Sequence, residues 1–279
     1  MTEIGNSGKK WHQALTRPLH KEGLFVLFNL IILVSTVVIT IIDIIYGTSG
    51  GQNGFNIQGW NYFMPFTINS NVLMAIASGI ALVKLLRHNR RARYLSKDSN
   101  TVVFGRKFTN YYYMAAVSLN LTAVTVALFL APLRFINGEN GLSMFMNDMF
   151  FFHLINPALA VYSLLYLFSG TRINKTSRLL CFIPPLLYSM VYGTHVLILQ
   201  DWDDFYNYTF GGNYILTAIS ILANTVAIYI IATLFANAYN KRLVHEPLPK
   251  ITLPKLNLTK TAKKELMCYN KHKENKNAF

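Results

Sequence analysis

The sequence predicts an all-α fold: a polytopic membrane protein built as a six-transmembrane-helix bundle, with both termini in the cytoplasm. Three observations predict it. The 279-residue chain is 52% hydrophobic and only 14% charged, against roughly 25% charged in a soluble domain. Apolar runs occur near 24–46, 62–86, 109–133, 149–170, 179–199 and 214–238. Most exceed the ~20 residues a helix needs to cross a hydrocarbon core of about 30 Å. Lysine and arginine fill alternate connections, which sets the orientation.

Residues 1–22 read as a cytoplasmic N-terminal segment carrying Lys9, Lys10, Arg17 and Lys21. The first helix follows. It is too long for a signal-peptide core of 7–15 residues and ends in IIDIIYGTSGG, so it reads as a span and not as a cleavable signal. The loop at 47–61 is rich in Gly and Asn. The second helix opens with FMPFTINSNVLMAI, residues 63–76. The connection after it, KLLRHNRRARYLSKDSNTVVFGRK, holds eight Lys or Arg. The third and fourth helices are joined by 134–148, where Arg134 is the single basic residue. Arg172, Lys175 and Arg178 precede the fifth helix, which Pro184 and Pro185 should bend. The loop QDWDDFYNYTFGGNY leads to the sixth helix. The domain thus spans 23–238, and 239–279 read as a basic, disordered tail with ten Lys or Arg after residue 239.

This alternation places the chain as a multi-pass protein of the cell membrane, its partner the lipid bilayer. The net charge of +14 flanks the spans and forms no basic face interleaved with aromatics, so nucleic acid is excluded as a partner. Cys181 and Cys268 fall in different regions of the topology, which predicts neither a disulfide nor a Cys-based metal site. Asp201, Asp203 and Asp204 are too closely spaced for an EF-hand loop. They read as solvated acids in an aromatic belt, or as a lid over the outer mouth.

Orientation gives each intramembrane polar residue a depth. Thr67 and His153 each lie about five residues, roughly 7 Å, below the outer ends of the second and fourth helices. His195 is four residues from the outer end of the fifth helix and Asp43 three from that of the first. Thr67, Ser70, Asn71, Met74 and Ser78 form one helical stripe; His153, Asn156, Ala160 and Ser163 form another. Polar atoms facing lipid are costly, so the stripes should face each other or a wet cavity. Pro157 lacks an N–H for the carbonyl of residue 153 and should open the helix beside the histidine.

A hydroxyl and an imidazole at one level suit nucleophilic acyl transfer, with Asp43 or Asn156 orienting the imidazole and Asn69, Asn71 or first-turn N–H groups stabilising an oxyanion. Such a site needs no cofactor. There is no G-x-S-x-G, H-E-x-x-H or Walker loop. Two other readings compete. In one, the stripes line a path for a small solute; in the other, they only bind the helices together. Polarity on the second and fourth helices thins inward, which favours a dead-end pocket.

FTINSNVLMAI, FFHLINPALAVYSLLYLF and YGTHVLILQDWDDFYNYTFGGNY together resemble the androgen-induced-gene-like integral membrane family, especially its prokaryotic branch. There an F-T-x-x-S-N motif, a His-x-x-x-Pro and an aromatic Y-x-Y-x-F loop recur. The likeness spans roughly residues 60–235. Eukaryotic members hydrolyse fatty acid esters of hydroxy fatty acids with a threonine nucleophile and a histidine. The resemblance implies Thr67 and His153 for these roles and a lipid ester as substrate. The Thr-to-Asn and His-to-Pro spacings here differ by one from the eukaryotic pattern, about 100° on a helix. A related branch transfers acyl groups between lipids, so membrane acyltransferase is the alternative activity.

Overall fold

The computed structural model describes residues 18–47, 59–94, 104–204, 206 and 209–245. Six helices among them are long and apolar enough to cross a membrane, and no strand is present among the described residues. We label them α1 (Pro18–Tyr46), α2 (Phe66–Tyr94), α3 (Arg106–Ile136), α4 (Asp148–Leu167), α5 (Lys175–Leu199) and α6 (Tyr214–His245).

Several boundaries depart from the hydropathy pattern for local reasons. Gly59–Phe63 is a separate 3-10 turn, and Pro65 then starts α2 at Phe66 rather than Tyr62. Thr67 is therefore in the first turn of its helix. α1 already begins at Pro18, before the apolar run. α6 continues to His245 because Asn240 and Arg242 bond the 168–173 segment, and that contact holds the last turns in place. Residues 239–245, which hydropathy put in the tail, are thus helical; the rest of the tail lies outside the described residues. In α5 the two prolines open a second helical segment, Ile183–Gly193, after a break at Cys181–Phe182. Asn174 and Ser177 close a capping box at its start.

The core is made by α1 to α4, with the second half of α6 (Ile228, Ala232, Ala236, Tyr239) packed on them. At one end Phe168 stacks on Phe104 at 4.8 Å and on Tyr112 at 4.6 Å, with Phe25 against all three. Lys and Arg among the described residues gather at this end; the opposite end carries Arg134 alone. Both polar stripes point inward as expected: Thr67, Ser70, Asn71, Ser78, His153, Asn156 and Ser163 are all buried.

Candidate active site

Thr67 and His153 meet at the end away from the aromatic cluster. Thr67 Oγ1 is 3.3 Å from His153 Nε2, and the two residues are 5% and 4% exposed. His153 Nδ1 is 2.5 Å from the backbone carbonyl of Met144. A carbonyl only accepts, so Nδ1 carries the proton and Nε2 presents a lone pair to the threonine hydroxyl. This is the tautomer a general base requires.

Local sequence explains how each group is held. α4 runs through a π turn at Phe151–Ile155, with Asn156 N–H bonded to the Phe151 carbonyl. The next bond of that pattern would join residue 157 to the carbonyl of Phe152, but Pro157 has no N–H. The freed carbonyl is thus that of Phe152, one residue before the expected 153, and Asn71 Nδ2 donates to it at 3.4 Å. Met144 reaches His153 from the 137–147 loop. Arg134 braces that loop through Ser143 and Glu139. Gly141 lies so close to the Ala131 carbonyl and the Phe135 ring that a Cβ there would collide with both.

The other expected site residues divide. Asn71 and Asn156 lie next to the pair: Asn71 Nδ2 donates to the Thr67 carbonyl at 2.9 Å, and Asn156 Nδ2 donates to Asn71 Oδ1 at 3.0 Å and to Thr36 Oγ1 at 3.3 Å. Ser35 donates to Asn156 Oδ1 at 2.9 Å. Asn69 turns to the rim and donates to the carbonyls of Phe63 and Pro65, so its amide is committed to the turn that starts α2. The amide hydrogens of Asn71 are committed likewise. Neither Asn156 nor Asp43 orients the imidazole; the Met144 carbonyl does. Asp43 lies apart, beside Tyr62 and Asp148. His195 is also apart, with Nδ1 2.9 Å from Asp201 Oδ1 and its ring stacked on Trp202 at 4.1 Å.

Residues absent from the sequence-based set complete the site. Tyr206 accepts from Phe66 N–H at 2.9 Å, and Tyr188 donates to the Met64 carbonyl at 2.7 Å. Tyr192 donates to Asp204 Oδ1, whose other oxygen accepts from the N–H and hydroxyl of Thr209. The α5–α6 connection is thereby tied to the residues just before Thr67. The Y-x-Y-x-F pattern was the available signal, but a tyrosine that bonds a backbone group leaves no spacing rule behind. Among the described residues no group of three His, Cys, Asp or Glu is placed to hold a metal.

Comparison with family models, curated proteins and solved structures finds no match.

From the pair, hydrogen bonds run through Asn71 and Asn156 to Thr36 and Ser35. Nearer the aromatic cluster a second set joins Asn29, which donates to Ser163 at 3.1 Å and accepts from Tyr112 at 3.0 Å. Below Asn29 lie the stacked rings of Tyr112 and Phe168. Thr36 also lines a groove of about 700 Å3 between α1 and α2, walled by Leu33, Val37, Val72, Ile76, Ile80 and Val83.

Proposed function

We propose that the chain is a membrane hydrolase of fatty acid esters, with both termini in the cytoplasm and the Thr67–His153 pair under the outer leaflet. The observation that carries this reading is the 3.3 Å approach of a buried hydroxyl to the unprotonated nitrogen of a buried imidazole. Thr67 Oγ attacks the ester carbonyl carbon while His153 Nε2 takes the hydroxyl proton. As the intermediate collapses, the acyl–oxygen bond to the leaving alcohol breaks and His153 gives that oxygen the proton. Water then repeats the sequence on the acyl-threonine. Of the first-turn N–H groups of α2, Phe66 is taken by Tyr206, and Ile68 and Asn69 by the Pro65 carbonyl. The N–H of Thr67 itself is the remaining oxyanion donor. The groove beside Thr36 suits an acyl chain.

Transfer to a lipid hydroxyl would use the same first half-reaction. The burial of both reacting residues favours it by limiting water, and product analysis with a long-chain alcohol present separates the two. A solute path is disfavoured because the buried, stacked rings of Tyr112 and Phe168 lie between the polar networks and the far end of the bundle.

A fluorophosphonate probe on the purified chain tests the enzyme reading. We expect labelling that is lost in Thr67→Ala and weakened in His153→Ala. No labelling of the native chain, with ester turnover equal in both variants, would overturn it.

A further inference from the structure

The groove between α1 and α2 opens on the outside of the bundle: Val37, Ile41, Ile76, Ile80 and Val83 line it and are exposed. Its floor includes Gly79, where a Cβ would meet only the Leu33 side chain, at 3.8 Å. Its lining is apolar apart from Thr36 and Thr40 on α1 and, at the other end, Lys84 and Arg87 on α2. Both cations are exposed, and neither forms an ion pair among the described residues. Lys84 Nζ lies 5.3 Å from the centre of the Phe108 ring on α3, a contact that holds the ammonium group beside the groove.

Depth gives the two cations a meaning. They lie eighteen and twenty-one residues after Phe66, the first residue of α2, about 27 and 32 Å along the axis. A hydrocarbon core is about 30 Å thick, so both stand at its edge, at the end opposite Thr67. Cations flank most membrane helices; these two differ in closing an apolar groove. From Lys84 back to Ala75 the groove runs about 14 Å, close to half the core and therefore to the length of one leaflet's acyl chain. A groove one leaflet long, open to lipid and capped by two cations at headgroup level, is complementary to a lipid with an anionic head. Arg87 offers phosphate oxygens a fork of donors, and Lys84 adds a point charge.

We propose that this groove binds an anionic phospholipid of the leaflet at the basic end, with the phosphate between Lys84 and Arg87 and one acyl chain along Val83, Ile80, Gly79 and Ile76. A zwitterionic phospholipid fits the same groove but gains less from the two cations. A chain of this length stops short of Thr40 and Phe63, which leaves that end of the groove to the ester chain of the proposed reaction. The site is independent of the hydrolase reading, since it uses neither Thr67 nor His153 and its test reads binding rather than turnover.

The test is native mass spectrometry of the full chain in detergent, mixed with equal amounts of phosphatidylglycerol and phosphatidylcholine carrying the same acyl chains. We expect one phosphatidylglycerol to be retained, roughly tenfold over phosphatidylcholine. Lys84→Gln combined with Arg87→Gln should abolish that preference; both side chains are exposed, so the variant should fold. Gly79→Leu should fill the groove and release the lipid while keeping both charges. Ile80→Trp, on an exposed wall of the groove, does the same if Gly79→Leu does not fold. Equal retention of the two lipids by the native chain overturns the proposal. So does a preference that survives the double Gln variant, or one that survives the groove-filling variants, which would assign it to the basic end as a whole. Displacement of the phospholipid by an equal amount of oleate would overturn it in favour of a free fatty acid.

Discussion

Asn156 bonds three side chains on two other helices: Asn71 on α2, and Thr36 and Ser35 on α1. Asn156→Ala strands Asn71 Oδ1 and the Thr36 hydroxyl in a buried setting, while Ser35 keeps its bond to the Ile32 carbonyl, and each unsatisfied group costs about 1–3 kcal/mol. Pairing in the unfolded chain within lipid lowers such values toward 0.6 kcal/mol per bond. We expect a net loss of about 2 kcal/mol, measured by denaturation in detergent. A loss within error of zero would mean the network is ornamental. Thr67 and His153 were legible in the sequence because topology alone fixes their depth. Met144 was not, because its contribution is a backbone carbonyl that any residue supplies. Asn69 and Asn71 were readable as polar and inward, but which of their amide hydrogens bond nearby carbonyls depends on turn geometry that composition does not encode.

In α4 the π turn at Phe151–Ile155 and Pro157 act as one device. The turn sets the angle at which His153 faces α2, and the proline keeps the Phe152 carbonyl open for Asn71. Pro157→Ala restores an N–H that competes for that carbonyl and lets the helix tighten. Stability should hold or rise, while the rate of Thr67 labelling by the fluorophosphonate probe falls several-fold. An unchanged rate would show that the turn does not position the histidine. The proline was visible in the sequence and so was an opening beside His153; the π register was not, because one residue of extra winding has no period of its own in a 20-residue helix. The ends of α2 and α6 were misplaced for a related reason. Hydropathy marks where lipid contact stops, whereas a helix stops where its last turn loses partners, and Asn240 and Arg242 supply partners beyond the apolar run.

For the whole molecule, six helices and the inward direction of the stripes follow from hydropathy and period, and the described structure has both. Its two ends also differ in charge: Arg134 is alone at the Thr67 end among the described residues, and the remaining Lys and Arg lie at the other. The positive-inside rule supports the proposal that the Thr67 end faces outward. That orientation decides which leaflet would supply the proposed ester substrate. Single cysteines test it in a Cys268→Ser background, where the remaining Cys181 is fully buried. Asn137→Cys, at the exposed end of α3, should react with a membrane-impermeant maleimide on intact cells. Ser99→Cys, in the basic connection after α2, should react only after permeabilisation. The reverse pattern would place the Thr67–His153 pair at the cytoplasmic face and would require an inner-leaflet ester as the proposed substrate.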